Sequence, residues 1–376
     1  MKKIIHIISL ERGLGGFQRI FVSYYKYAQK HSKFKQYIFS NRNISNNYGY
    51  FENFFKMNVG INFFIFIKHI VSKNSIIHLH NKLSSKRIYY LLKFLPVSNL
   101  IFHEHGAAWN VKTKLHKKIY QANAKLAKKI IVNSIATKSL LMKRFKIKED
   151  KLELAYYSFK DPKIKKKNIN KKITKVGFLG RFDLFKGVHS LIEAANILKK
   201  KDIIFLIAGD GHLEKHLKSL SQGNDKIKFV GSVSKPLNFV KDLDILVVPS
   251  IREPFGIVNI EAGLCKTSVI ASKIDGIPEV ITNNHSGILI KPTKKITSKK
   301  KYPGQPPLPD LVIDPSTFKT IRPRELDPKI LSDCILFLSK NKKLRAKFGN
   351  QLYKDVKKKF STTSYFKRLE EIYKNL

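Results

Sequence analysis

The chain has 376 residues, of which 73 are basic and 27 acidic, for a formal net charge of +46. That length exceeds what a single core comfortably fills and predicts two domains, and 43 % hydrophobic content is that of a globular chain. Nucleic-acid binding is disfavoured: only 11 of the 73 basic residues are arginine, lysine is scattered over nearly every segment, and no recognised nucleic-acid motif accompanies it.

Residues 4–9 read as a first strand. The lysines and apolar run there imitate a secretory leader, but His6 interrupts the run and Glu11-Arg12 stand where a small-residue cleavage site belongs. Gly13-Leu14-Gly15-Gly16 follows and opens a helix, so backbone N–H groups can approach an anion there, although the same pattern also makes an ordinary turn. The longest apolar stretch, residues 61–67, is short and contains Asn62, so no segment is expected to span a bilayer. Further strand patterns at 36–40, 76–79, 100–103 and 130–132 alternate with helical periods, which predicts βα units on a parallel sheet. His78 and His80 share one strand face and read as buried, hydrogen-bonded histidines, His80 being nearer the cleft. His103-Glu104-His105-Gly106 closes another strand, and Trp109 reads either as packing or as a platform for a sugar or lipid.

A lysine- and asparagine-rich stretch with Pro162 and no apolar face, residues 160–172, marks a domain seam. Strand patterns then restart at 176–179, 203–208, 227–230, 245–248 and 269–271, and Val188, Leu191, Ile192, Ala195 and Leu198 recur at helical spacing as a packing stripe. Open α/β sheets bind ligands beyond the carboxyl ends of their strands. Gly180-Arg181 ends a strand and Lys186-Gly187 stands five residues on, placing a forked guanidinium and an ammonium over one crevice, as a diphosphate requires. Asp242-Leu243-Asp244 imitates a metal-binding pair, but Asp244 reads as the entry to the strand at 245–248, so no metal is expected. Cys265 and Cys334 show neither ligand spacing nor a disulfide framework, the usage of a reducing cytoplasm.

The segment 253–264, Glu-Pro-Phe-Gly-Ile-Val-Asn-Ile-Glu-Ala-Gly-Leu, is the most informative. Eight helical residues rise about 12 Å and turn roughly 80° past two full circles, so Glu253 and Glu261 face broadly the same way, too far apart for a carboxylate dyad. A nucleotide sugar laid along that helix start would meet Glu253 near its sugar and Glu261 near its ribose, with phosphates over the N–H groups of Gly256, Ile257 and Val258.

Together these residues resemble the retaining glycosyltransferases of family 4, across nearly the whole chain. The resemblance is carried by Gly15-Gly16-Phe17-Gln18-Arg19, Gly180-Arg181 with Lys186-Gly187, Ala208-Gly209-Asp210-Gly211, Phe229-Val230-Gly231, Val248-Pro249-Ser250 leading into the two-glutamate segment, Asp275-Gly276-Ile277-Pro278-Glu279 and Gly287-Ile288-Leu289. It implies the GT-B architecture, an α/β fold of two facing Rossmann-like domains with parallel sheets and a C-terminal helix crossing back. The expected division is an acceptor domain at 1–160, a linker at 161–172, a donor domain at 173–358 with a proline-rich insertion at 292–325, and a final helix at 359–376. The implied reaction is a metal-independent, cofactor-free transfer from a UDP- or GDP-type nucleotide diphospho-sugar, with retention, to a saccharide or glycolipid hydroxyl of the cell envelope.

Carried over by motif, Arg181 and Lys186 would hold the diphosphate, Gly15 and Gly16 would close over it, Glu261 would take the ribose hydroxyls, and Glu253 would contact the sugar. The nucleobase would lie near Val230, Gly231 and Ser232, and His105 would touch the donor sugar or polarise the reacting hydroxyl, unless it merely caps its strand. Three departures stand out: Tyr156-Tyr157-Ser158-Phe159 replaces the usual Asn-Gly before the linker, Gln18 replaces a glutamate, and the insertion with Pro303, Pro306, Pro307 and Pro309 is expected to form a surface loop. The basic surface suits a cytoplasmic protein at the inner face of an anionic membrane. A non-catalytic saccharide- or nucleotide-binding relative and a nucleotide-sugar epimerase of the same fold are the rival readings, and inversion would need a carboxylate base for which Glu104 is the candidate.

Overall fold

The computed structural model describes residues 2–10, 16–40, 42–43, 51–57, 60–95, 97–162, 164, 173–296 and 307–376. The loop residues 13–15, most of the linker, and Pro303 and Pro306 lie outside them. Two compact units result, Met1–Lys160 with Phe360–Leu376, and Asp161–Lys359.

The first unit runs β1 (Lys3–Ile7), α1 (Gly16–His31), β2 (Lys35–Ser40), β3 (Phe54–Lys56), α2 (Gly60–Ile70), β4 (Ser75–His80), α3 (Lys86–Phe94), β5 (Leu100–Glu104), α4 (Lys114–Leu126), β6 (Lys129–Val132), α5 (Ile135–Phe145) and β7 (Leu152–Leu154). Its seven strands are all parallel, in the order β3-β2-β1-β4-β5-β6-β7. Strands such as β4 and β5 are buried along their whole length, as a parallel sheet with both faces covered requires.

The second unit runs β8 (Thr174–Leu179), α6 (Val188–Ile197), β9 (Ile203–Ala208), α7 (Glu214–Leu220), β10 (Ile227–Gly231), α8 (Pro236–Lys241), β11 (Ile245–Val248), α9 (Ile257–Leu264), β12 (Ser268–Ser272), β13 (Ile288–Ile290), β14 (Val312–Ile313), β15 (Thr320–Ile321), α10 (Pro328–Lys340) and α11 (Lys342–Lys359). Six parallel strands order as β10-β9-β8-β11-β12-β13, and the helical stripe Val188, Leu191, Ile192, Ala195 and Leu198 joins the core with Phe178, Phe205 and Val247. The last helix, α12 (Thr362–Lys374), belongs to the first unit and packs Tyr365 and Phe366 against Tyr24 of α1.

In the two parallel sheets three strands had no periodic signal in the sequence: β3, β7 and β13, each three residues long and each at a sheet edge. Short edge strands bury little and so show no alternation. The proline-rich insertion also departs from a plain surface loop, because β14 and β15 pair antiparallel within it and Val312 and Ile313 are fully buried. Between the prolines a pair of β-branched residues is enough to plug the core edge.

Helix α11 lies directly against α9 and the turn after it. A Cβ on Gly349 would stand 2.1 Å from the Lys266 carbonyl oxygen, so the helix can approach this closely only without a side chain. Gly349→Ala is expected to cost about 1–3 kcal/mol through overpacking, read as a lower urea midpoint at unchanged m-value.

Candidate functional site

In the second sheet β8 and β11 are neighbours although two strands intervene in sequence, so the strand order reverses between them. Connections leave such a point in opposite directions and open a crevice beyond the carboxyl ends. The segments that follow β8 and β11 interlock there. Gly187 has φ +69°, and a Cβ on it would fall 1.9 Å from the Pro249 carbonyl oxygen, which only glycine avoids. This approach places the Lys186 ammonium 2.6 Å from Glu253 Oε2, the same oxygen to which Ser250 Oγ donates at 3.4 Å. Arg181, 63 % exposed, pairs with Asp183 at 3.0 Å. Phe185 gathers these cations: Arg252 Cζ lies 4.3 Å from its ring centre, and Arg181 Cζ and Lys186 Nζ each 5.8 Å. Three cations thus share one buried ring, and the guanidinium of one of them, Arg181, is exposed.

Glu253 is fixed through its backbone. Its N–H donates to Asp275 Oδ2 at 2.9 Å, its carbonyl accepts from Gly276 N at 3.1 Å, and Asp275 Oδ1 accepts from Ile313 N at 2.6 Å. Burial pushes the Asp275 carboxyl up to about 7, against the pull of these two N–H donors and of Arg252. Gly256, with φ +88°, turns the chain into α9, and a Cβ there would meet Asn259 Nδ2 at 2.5 Å. Ile257 and Val258 occupy the first turn of α9, whose leading N–H groups have no intrahelical partner, and Glu261 is buried one turn on. Val230, Gly231 and Ser232 lie at the end of β10, two strands from β8, where Ser232 Oγ donates to Asp210 and Gly209 N donates to the Gly231 carbonyl.

In the first unit, strand register collects histidines. His6 stands beside His78 and His80 beside His103, and period-two alternation puts His105 near the same face. Three of these rings, His6, His80 and His105, form one hydrogen-bonded chain whose direction a carboxylate sets. Glu370 on α12, an acceptor only, takes the Ser32 hydroxyl at 2.5 Å, so Ser32 Oγ accepts from Gln36 Nε2 at 3.3 Å and Gln36 presents Oε1 to His6 Nε2 at 2.9 Å. His6 Nδ1 then accepts from His80 Nε2 at 3.2 Å, His80 Nδ1 from His105 Nε2 at 3.0 Å, and His105 Nδ1 from the Tyr157 hydroxyl. Burial keeps the rings neutral, lowering His6 to about 4 and His78, His80 and His103 well below the ordinary value. Phe17 stacks on the His105 ring at 4.5 Å. The arrangement therefore offers a hydrogen-bond acceptor at His105 Nδ1 to any hydroxyl that replaces Tyr157.

His6, His78 and His80, and likewise His80, His103 and His105, bring ring nitrogens within 4.8 Å of one another, a donor set of the kind zinc takes. An ion there would have to displace the bonds just described, because both nitrogens of His6, His80 and His105 are already engaged. Other candidates resolve as structural. Glu104 accepts from Gly106 N, Ala108 N and the Tyr120 hydroxyl, leaving no free oxygen for base chemistry. Trp109 is fully buried, so it is packing rather than a stacking platform, and Asp244 takes Lys175 N at 2.9 Å at the edge of β8. Tyr157, Gln36, Glu370 and Asp275 were not assigned roles from sequence, since each acts across long chain separations that no local pattern encodes.

Comparison with known proteins fits this geometry. Residues 159–301 match the family model Glycosyl transferases group 1. An uncharacterized glycosyltransferase of Methanocaldococcus jannaschii is 35 % identical over 121 residues, 31 % of each chain. The capsular polysaccharide biosynthesis glycosyltransferase CapM of Staphylococcus aureus is 24 % identical over 271 residues, 70 % of this chain and 60 % of CapM. The matched parts thus span from about a third to three-fifths of these relatives. The crystal structure of HepE from Anabaena with UDP-glucose superposes with a TM-score of 0.74 at 16 % identity, covering all of both chains. The chain has the GT-B fold, and the matched residues 159–301 lie almost wholly in its second unit.

Because His6 is neutral in the fold and charged at pH 5 when unfolded, stability is full above about pH 6.5 and is lost as pH falls toward about 4. Acidification should cost on the order of 3 kcal/mol through His6, and His6→Gln should flatten that part of the pH–stability curve. Long-range nitrogen–proton NMR correlations should find His105 as the Nε2–H tautomer, and Glu370→Gln, which can donate as well as accept, should shift that signal.

Proposed function

We propose that the protein is a retaining, metal-independent glycosyltransferase that moves a sugar from a UDP- or GDP-type donor to a hydroxyl of a cell-envelope glycan or glycolipid. The observation that carries this reading is the Lys186–Glu253 pair at the strand-order reversal of the second sheet, flanked by Arg181 and the first turn of α9. HepE, solved with UDP-glucose, and CapM, named for capsular polysaccharide synthesis, support the donor and acceptor classes.

In this reading the donor diphosphate takes Lys186 from Glu253, exchanging one anion for another, and the freed carboxylate accepts from a sugar hydroxyl. Arg181 and the N–H groups of Gly256, Ile257 and Val258 hold the phosphates, and Glu261 takes the ribose. As the bond from the anomeric carbon to the phosphate oxygen breaks, its electron pair stays on the diphosphate. The acceptor oxygen bonds the same face of the anomeric carbon, and its proton passes to the departing phosphate. The charge that grows on the diphosphate is what the preorganised cations stabilise. His105 contributes through its acceptor nitrogen, and Gly16 through its backbone. The basic surface suits an acceptor at the inner face of an anionic membrane.

UDP, GDP, ADP and CMP should be compared by thermal shift with and without EDTA. One diphosphate at 100 times its Kd should add about 2.7 kcal/mol regardless of EDTA, and Arg181→Ala should lower kcat/KM at least roughly 100-fold. Glu253→Gln should leave affinity for that diphosphate unchanged or higher while turnover falls about tenfold or more, because Lys186 loses its resident anion. Stabilisation by none of the four would sink the reading.

A further inference from the structure

Arginine is this chain's scarce cation, 11 among 73 basic residues, so its placement says more than that of lysine. Two of the 11, Arg322 and Arg324, line a cavity of about 570 Å³ together with Lys273 and Lys291, all within the second unit. Asp314, the only carboxylate in that lining, is occupied, its Oδ1 accepting from Ser316 N at 2.9 Å. Neighbouring Lys294 shows how a cation here is ordinarily balanced, lying 3.1 Å from Glu193 and 3.5 Å from Glu325. Among the described residues, Lys273, Lys291 and Arg322 have no such partner, while Arg324 is steadied by donating to the Thr293 carbonyl at 2.8 Å. Uncompensated cations around a concavity focus a positive potential, and forked guanidiniums match phosphate oxygens.

The cavity is built on the insertion that the sequence set apart. Its wall at Asp314 to Thr317 is the turn between β14 and β15, and that hairpin hangs from Asp275 Oδ1 through Ile313 N. The other Asp275 oxygen holds Glu253 N. One buried carboxylate thus supports both the cavity wall and the loop that carries Glu253.

We propose that this cavity binds a phosphate group distinct from the donor diphosphate, borne by a phosphorylated saccharide or by a lipid headgroup. Arg322 and Arg324 grip it, and Lys273 and Lys291 add charge.

The test is calorimetric titration of the full chain with inorganic phosphate, then glucose 6-phosphate, and flotation with phosphatidylglycerol vesicles. Arg322→Ala/Arg324→Ala should weaken phosphate binding about tenfold or more, while Arg322→Lys/Arg324→Lys, which keeps the charge and controls for folding, should recover part of it. With the donor site saturated by nucleoside diphosphate, phosphate binding to this cavity should stay within about twofold, so the inference stands or falls separately from the donor reading. Lys199→Ala/Lys200→Ala, an exposed pair elsewhere on the second unit, should change it just as little. Arginine-dependent binding of glucose 6-phosphate assigns the phosphate to a saccharide, and arginine-dependent flotation assigns it to a lipid. Phosphate affinity untouched by loss of both arginines, or lowered equally by loss of the two control lysines, overturns the proposal, since net charge alone would then account for it.

Discussion

The second unit depends on one buried carboxylate. Asp275 sits at φ +44°, a conformation few side chains adopt, and accepts a backbone N–H on each oxygen, from Glu253 at 2.9 Å and Ile313 at 2.6 Å. Burying such a group is costly unless its lone pairs are satisfied, and satisfying them here requires two segments 60 residues apart in sequence to converge. The strain and the desolvation are offset only if both donors arrive. That constraint fixes the height of Glu253 above the sheet, hence its reach to Lys186, hence the spacing of charges over the crevice. Remove the carboxylate and two buried N–H groups lose their partners together.

The two units handle charge in opposite ways. The second concentrates cations on Phe185 and leaves Arg181 exposed, an arrangement that becomes favourable when an anion with more than one charge arrives. The first keeps its imidazoles uncharged: burial holds the stacked rings neutral, and the protons of His6, His80 and His105 are ordered by a carboxylate on α12. A neutral imidazole with a fixed tautomer can accept a hydroxyl proton in a hydrogen bond.

Much of this was legible in the sequence. Strands β9 and β11 are residues 203–208 and 245–248, as read from their apolar runs, because a strand buried on both faces writes itself as an uninterrupted β-branched stretch. Glycine positions such as Gly187 and Gly256 were visible too, since a left-handed turn at a strand or helix end leaves a glycine in the chain. The edge strands were not, and neither was the hairpin of β14 and β15, whose strands of two residues, buried only in β14, fall below any periodicity.

What the sequence determined by itself is local: the alternation of strand and helix, the glycines that let loops meet, and the residue types in the 253–264 segment, all set by rules spanning at most about 18 residues. Tertiary structure alone decided who touches whom. Lys186 finds Glu253 across 67 positions, Tyr157 finds His105 across 52, and Glu370 reaches Ser32 across 338. Hydrogen bonds and ion pairs act over about 3 Å of space regardless of sequence separation, so charge balance, proton order and the cation-lined cavity exist only once parallel strands bring their carboxyl ends together.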